Sequence, residues 1–112
     1  GPVPATAKIH DLYSGGSSNP FTPGDGEVWF LSGGSVKSTS SSAGRAFILI
    51  DDGTINDFEI ADESWTAGQQ NPWDPFIGGA GLYLDANTTL KASVTFSSGS
   101  TAAIYSYLIR VR

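Results

Sequence analysis

The sequence contains no cysteine, which excludes a disulfide framework and any thiolate metal site. That absence fits assembly in a reducing compartment better than a secreted, disulfide-stapled life. Basic residues are scarce too: six Lys and Arg stand against eleven Asp and Glu, giving a net charge of −5 and a pI near 4.4. Affinity for nucleic acid comes largely from Lys and Arg neutralising phosphates, so no nucleic-acid partner is expected. No apolar run reaches the ~20 residues of a spanning helix, and the N-terminus lacks the basic-then-apolar layout of a secretory signal. Membrane insertion is therefore not expected. Gly1-Pro2 reads either as a tag scar or as a native start after loss of methionine, and it carries no functional argument.

No segment holds a helical period of apolar residues. Fourteen glycines, six prolines and many Ser and Thr instead punctuate short apolar runs. Frequent turns between brief strands predict an all-β fold, a two-layer antiparallel β-sandwich of about eight strands, jelly-roll-like in kind. Strands are expected near residues 5–13, 26–32, 36–39, 45–50, 54–61, 76–84, 89–96 and 102–112. Pro23-Gly24-Asp25-Gly26, Asp51-Asp52-Gly53 and Ser97-Ser98-Gly99-Ser100 supply turn chemistry, the second opening a tight hairpin. The Ser- and Gly-rich stretch 32–44 is expected to be a solvated loop around a short strand. A chain of 112 residues fits one domain, placed at 14–112. Residues 1–13 read either as an arm that grips a neighbour or as an ordinary first strand.

Alternation identifies strands with more apolar residues than one core face needs. In the last run Tyr105, Tyr107, Ile109 and Val111 share one face, while Ile104, Ser106, Leu108 and Arg110 share the other. In "GEVWFLSGG" Trp29 and Leu31 alternate with Val28 and Phe30, so one set must face away from the core. Trp29, Leu31, Tyr105, Tyr107, Ile109 and Val111 are the candidate interface with another subunit. Phe47-Ile48-Leu49-Ile50 is apolar on both faces, as a central strand covered on both sides would be.

Residues suited to chemistry are few. The single histidine, His10, neighbours Asp11, but no G-x-S-x-G elbow offers a nucleophile. One histidine and no cysteine would leave a zinc site almost wholly to carboxylates, which suit that metal poorly. Asp51, Asp52, Asp57, Glu59, Asp62 and Glu63 lie close together, as in a paired-carboxylate glycosidase or a calcium site. The same residues also fit a hairpin turn and the outward face of a strand, and no Asp-x-Asp-x-Asp-Gly loop is present. No catalytic residue, cofactor or metal is assigned. Trp65, Trp73 and Phe76, with Gln69, Gln70 and Asp74, fall in "TAGQQNPWDPF" and its flank, read as a long proline-bearing loop. Such rings can stack on a sugar with the amides as hydrogen-bonding partners. Trp73 can equally fold back to plug the open end of the sandwich.

Several stretches taken together resemble the small jelly-roll domains of tailed-bacteriophage virion proteins. They are "FTPGDGEVWFLSGG", "FILIDDGTINDFEI", "GLYLDANTTLKASVTF" and the closing "IYSYLIRVR". That class includes capsid decoration (cement) proteins and the trimeric heads of tail fibres and tail needles. The resemblance runs from about Phe21 onward as a pattern of strands and turns. It implies a non-enzymatic virion protein, assembled in the host cytoplasm, that forms a homotrimer and binds the major capsid protein or another virion component. The alternative it implies is a receptor- or carbohydrate-binding head, meeting a host-surface glycan through loop 65–76.

Overall fold

The computed structural model describes residues 6–38, 43–54, 57–66, 68–75, 81–96 and 102–112. Among them are nine strands and no helix: β1 (Thr6–Ser14), β2 (Ser17–Ser18), β3 (Trp29–Ser38), β4 (Gly44–Asp51), β5 (Phe58–Trp65), β6 (Gln70–Trp73), β7 (Leu82–Leu84), β8 (Thr89–Phe96) and β9 (Ala102–Arg110). They form two antiparallel sheets arranged as a sandwich. The larger runs β2-β1-β9-β3-β6, with β7 also on β3, and the smaller runs β5-β4-β8. An isolated bridge between Phe21 and Leu90 adds a short edge contact beside β8.

Alternation accounts for what is packed between the layers. Leu12, Leu31, Val36, Ile104 and Leu108 point inward from the large sheet and meet Ala46, Ile48, Ile60 and Leu90 of the small one, all at 0–1% exposure. On β9 the inward set is Ile104, Ser106 and Leu108, so the division of faces read from the sequence matches the burial. Ser106 keeps its hydroxyl satisfied in the core by donating to the His10 carbonyl at 3.2 Å.

Several expected boundaries are corrected. Residues 32–36 form no loop; β3 runs unbroken through Ser32-Gly33-Gly34-Ser35, of which Gly33, Gly34 and Ser35 are buried. The cause is steric. A side chain at Gly34 would stand 2.5 Å from Trp73 Cε2, so the small residues admit an indole against the strand. A bulge between Leu31 and Gly33 keeps β3 in register with β9 on both sides of that point. The expected strand 54–61 begins later and ends later, as β5, and the part of 76–84 that is described is strand only at β7. The Asp51-Asp52-Gly53 turn is present: Asp51 accepts from the Gly53 amide and Asp52 from that of Thr54, both at 2.9 Å. It opens a loop longer than the tight hairpin expected, since β5 starts at Phe58. The expected turn at 97–100 lies outside the described residues.

β1 is an integral strand, paired with β9 from Thr6↔Arg110 to Tyr13↔Ile104. Residues 1–5 of the expected arm or first strand lie outside the described part, and residues 6–13 are strand. The opening pair of the late stretch, β7 and β8, does not form a hairpin; β7 pairs β3 in one sheet and β8 pairs β4 in the other. The Asp85 turn between them, with Asp85 accepting from the Asn87 amide at 2.9 Å, carries the chain across the sandwich.

Candidate functional site

The outer faces of the two sheets differ in kind. On the small sheet, Arg45 spans both carboxylate oxygens of Asp62, with Nε–Oδ1 at 2.8 Å and Nη2–Oδ2 at 2.5 Å. Its guanidinium lies 4.7 Å from the centre of the Phe47 ring, which covers an otherwise apolar side chain. Lys91 pairs with Asp57 across the same layer. The hydrogen bond from Arg45 holds the Asp62 carboxyl below its ordinary value, and the bond to Asp57 raises the Lys91 ammonium. This face is charged and wet, and Phe47 and Leu49 are only half-buried beneath it.

The large sheet presents the reverse. Two cross-strand rows lie on its outer face: Ala7, Ile109, Phe30 and Tyr83 in one, Ile9 and Tyr107 in the next. Ile9 and Tyr83 are each 67% exposed, Tyr107 38% and Ile109 37%. Phe30 and Tyr83 meet ring to ring at 5.1 Å, as directly opposed aromatic residues do. Between β1 and β9 lies an open hollow of about 570 Å³ walled by Ala7, Ile9, Tyr107 and Ile109, with Ser32 at its rim. Lys8 and Leu108 border it only through strand positions whose side chains turn the other way. The Lys8 ammonium sits 5.3 Å from the Phe21 ring, and Leu108 is in the core. Tyr107 is fixed in place by donating its hydroxyl to Ser35 Oγ at 3.0 Å. Among the described residues, charge reaches this face through Asp11 and Lys37 at its far end and through Asp74, whose Oδ1 lies 3.0 Å from where a side chain at Gly33 would stand.

The candidate interface residues therefore separate. Tyr107, Ile109 and Val111 are exposed and Tyr105 is half-buried on the outer face, whereas Trp29 and Leu31 are core residues at 8% and 0% exposure. Trp29 packs edge-on to Phe21 and donates its indole N–H to Glu27 Oε1 at 2.8 Å. Phe30 is the outward residue of that strand. Ile9 and Tyr83 belong to the patch, but sequence reading did not assign them. Their signal was the alternation of Tyr83 with Leu82 and Leu84; which sheet β7 would join was not legible.

The loop candidates do not assemble into a sugar platform. Trp65 ends β5 and Trp73 ends β6, at 2% and 3% exposure, so neither ring is available for stacking. Each indole lies against a glycine, Trp73 on Gly34 and Trp65 on Gly44. Among the described residues nothing accepts from Trp73 Nε1. Gln69 turns back to accept from the Thr66 amide at 2.9 Å, Gln70 and Asp74 are exposed, and Phe76 lies outside the described residues. The expected long loop is a short turn followed by β6, which crosses to the large sheet. Asn71 clasps the crossing by donating to the Ser64 carbonyl at 2.7 Å.

Two further polar residues, His10 and Glu27, have structural partners. His10 Nε2 lies 2.8 Å from the Asn19 carbonyl oxygen, and Glu27 accepts from both the Gly24 amide and Trp29. Those bonds, the one from Trp29 first, hold the Glu27 carboxyl below its ordinary value. No cluster of His, Cys, Asp or Glu suited to a metal ion occurs among the described residues. No protein-family model, curated protein or solved structure matches this chain. What stands is a two-sheet antiparallel β-sandwich with one charged face and one apolar face.

Proposed function

We propose that this chain is a non-enzymatic structural protein whose work is docking: copies associate through the outer face of the large sheet as a homotrimer and clasp a larger particle. The particle that the sequence resemblance favours is a bacteriophage capsid, with the chain as its decoration protein and the virion as its location. The observation that carries the docking reading is the partition of charge, which leaves exposed Ile9, Tyr83, Tyr107 and Ile109 and half-buried Phe30 together on a face without ion pairs among the described residues. Exposed apolar residues gathered in one patch mark interaction surfaces far more often than scattered ones do. The passage of the chain from sheet to sheet at β3–β4, β5–β6, β7–β8 and β8–β9 supports the jelly-roll form of the sandwich.

The mechanism is removal of apolar surface from water, worth roughly 25 cal/mol per Å². Three linked copies leave a repeating surface far more slowly than one, because each dissociation step must outrun recapture. The glycan-binding alternative rests on the rings of Trp65 and Trp73, which are enclosed, and no observation favours it. Mass photometry at micromolar concentration tests the docking reading, and trimers are expected; a clean monomer there rejects it. Co-sedimentation with purified undecorated capsid shells then tests the particle. Saturable binding is the expected result, and none with any shell withdraws the capsid assignment.

A further inference from the structure

The apolar face carries a protrusion and a recess on different strands. Tyr83 projects from β7, on the edge of the large sheet beside β3, and is 67% exposed. The hollow lies on the opposite flank, between β1 and β9, walled by Ala7, Ile9, Tyr107 and Ile109. We propose that Tyr83 of one copy seats in the Ile9–Tyr107–Ile109 hollow of a second copy, and that this contact is the principal anchor of self-association. The inference rests on the docking reading above and goes further by naming the two surfaces that meet.

Three observations select a second copy as the occupant. The chain holds five more acidic than basic residues, eleven against six, so its copies repel wherever carboxylates face one another. The outward side chains that wall the hollow and those of the row Ala7, Ile109, Phe30 and Tyr83 bear no charge, which makes this part of the face the approach of least repulsion. The hollow itself is walled by apolar side chains, with the Ser32 hydroxyl at its rim already directed to the Tyr107 carbonyl at 3.3 Å. It suits an aromatic ring with a polar tip that can stay at the wet margin. Tyr83 is such a group, and the structure holds it out. Gly81 lets the start of β7 come up against Phe30, where a side chain would stand 2.6 Å from the Leu31 carbonyl oxygen, and Phe30 then backs the Tyr83 ring. Knob and recess are separate patches, so the contact is heterologous in form and closes a ring when the rotation between copies permits.

The absence of cysteine provides the test. Tyr83 and the β1 residues are separated by three strand spacings, about 14 Å within one chain, too far for a disulfide. Tyr83→Cys is combined with Ile9→Cys, and separately with Ala7→Cys, and each protein is oxidised with copper–phenanthroline. At least one double variant is expected to give covalently joined copies on non-reducing gels, while the single variants give none. Tyr83→Ala is expected to weaken association about tenfold or more, as loss of a buried aromatic anchor does, with the melting of the dissociated chain unchanged. Oligomers that form at wild-type strength in Tyr83→Ala and give no linkage in either double variant overturn the contact while leaving self-association intact. A chain that stays monomeric at every concentration removes both readings. A ladder ending at three chains agrees with the trimer; one ending at two keeps the contact and rejects three-fold closure.

Discussion

Two glycines decide where two indoles lie. Gly34 on β3 faces Trp73, and Gly44 at the start of β4 faces Trp65, with the missing Cβ positions 2.5 and 2.6 Å from the respective Cε2 atoms. Adding a methyl group there leaves no room without moving a ring or a strand, and overpacking of this kind costs about 1–3 kcal/mol. Gly34→Ala, whose Cβ would also meet the Tyr105 carbonyl oxygen, is expected to lower the urea midpoint more than Gly44→Ala does. Polar residues act more gently. Asp62 has its folded pKa lowered by Arg45, so the pair stabilises above the unfolded carboxylate pKa of about 3.9 and is lost as pH falls through the folded value. Asp62→Asn is therefore expected to melt slightly below the wild type at pH 7, with the gap closing in strong acid and in high salt. A gap that persists at pH 2 contradicts the electrostatic account.

At the scale of elements, β9 tests the division of faces within one strand. Leu108 is 1% exposed and Ile109 37%, although they are neighbours in sequence. Leu108→Ala leaves a cavity between the sheets and is expected to cost about 2–5 kcal/mol in urea unfolding. Ile109→Lys is expected to change monomer stability by no more than about 0.5 kcal/mol, as surface substitutions do, and to leave only monomer in mass photometry where the wild type is expected to associate. If Ile109→Lys instead unfolds the chain, the assignment of its face is wrong. Strands with strict alternation, such as β8 and β9, were legible in sequence because period two separates inward from outward residues whatever the topology. The central part of β3 was not. Ser32-Gly33-Gly34-Ser35 has the composition of a loop, and it is strand through pairing with β9 and β6, distant in sequence, with Gly34 leaving room for the Trp73 ring.

For the molecule as a whole, the placement of charge bears on the proposed association. Copies with a net charge of −5 repel at long range, while the proposed contact is apolar. Raising salt from about 20 mM to about 500 mM shortens the Debye length several-fold, so self-association measured by sedimentation equilibrium is expected to strengthen. An interface held by ion pairs would weaken instead, and that result would exclude the outer face of the large sheet as the contact.

The sequence by itself determined the all-β class, the position of most turns and the two faces of the late strands. These follow from local rules, namely side-chain alternation and the backbone freedom of Gly, Asn and Asp. Only the tertiary structure decided that Trp29, Leu31, Trp65 and Trp73 are core, and that Ile9, Phe30 and Tyr83 share an exposed face with Tyr107 and Ile109. An apolar residue satisfies alternation equally well on either side of a sheet. Which side is dry depends on which sheet lies opposite, and strand pairing between residues far apart in the chain sets that.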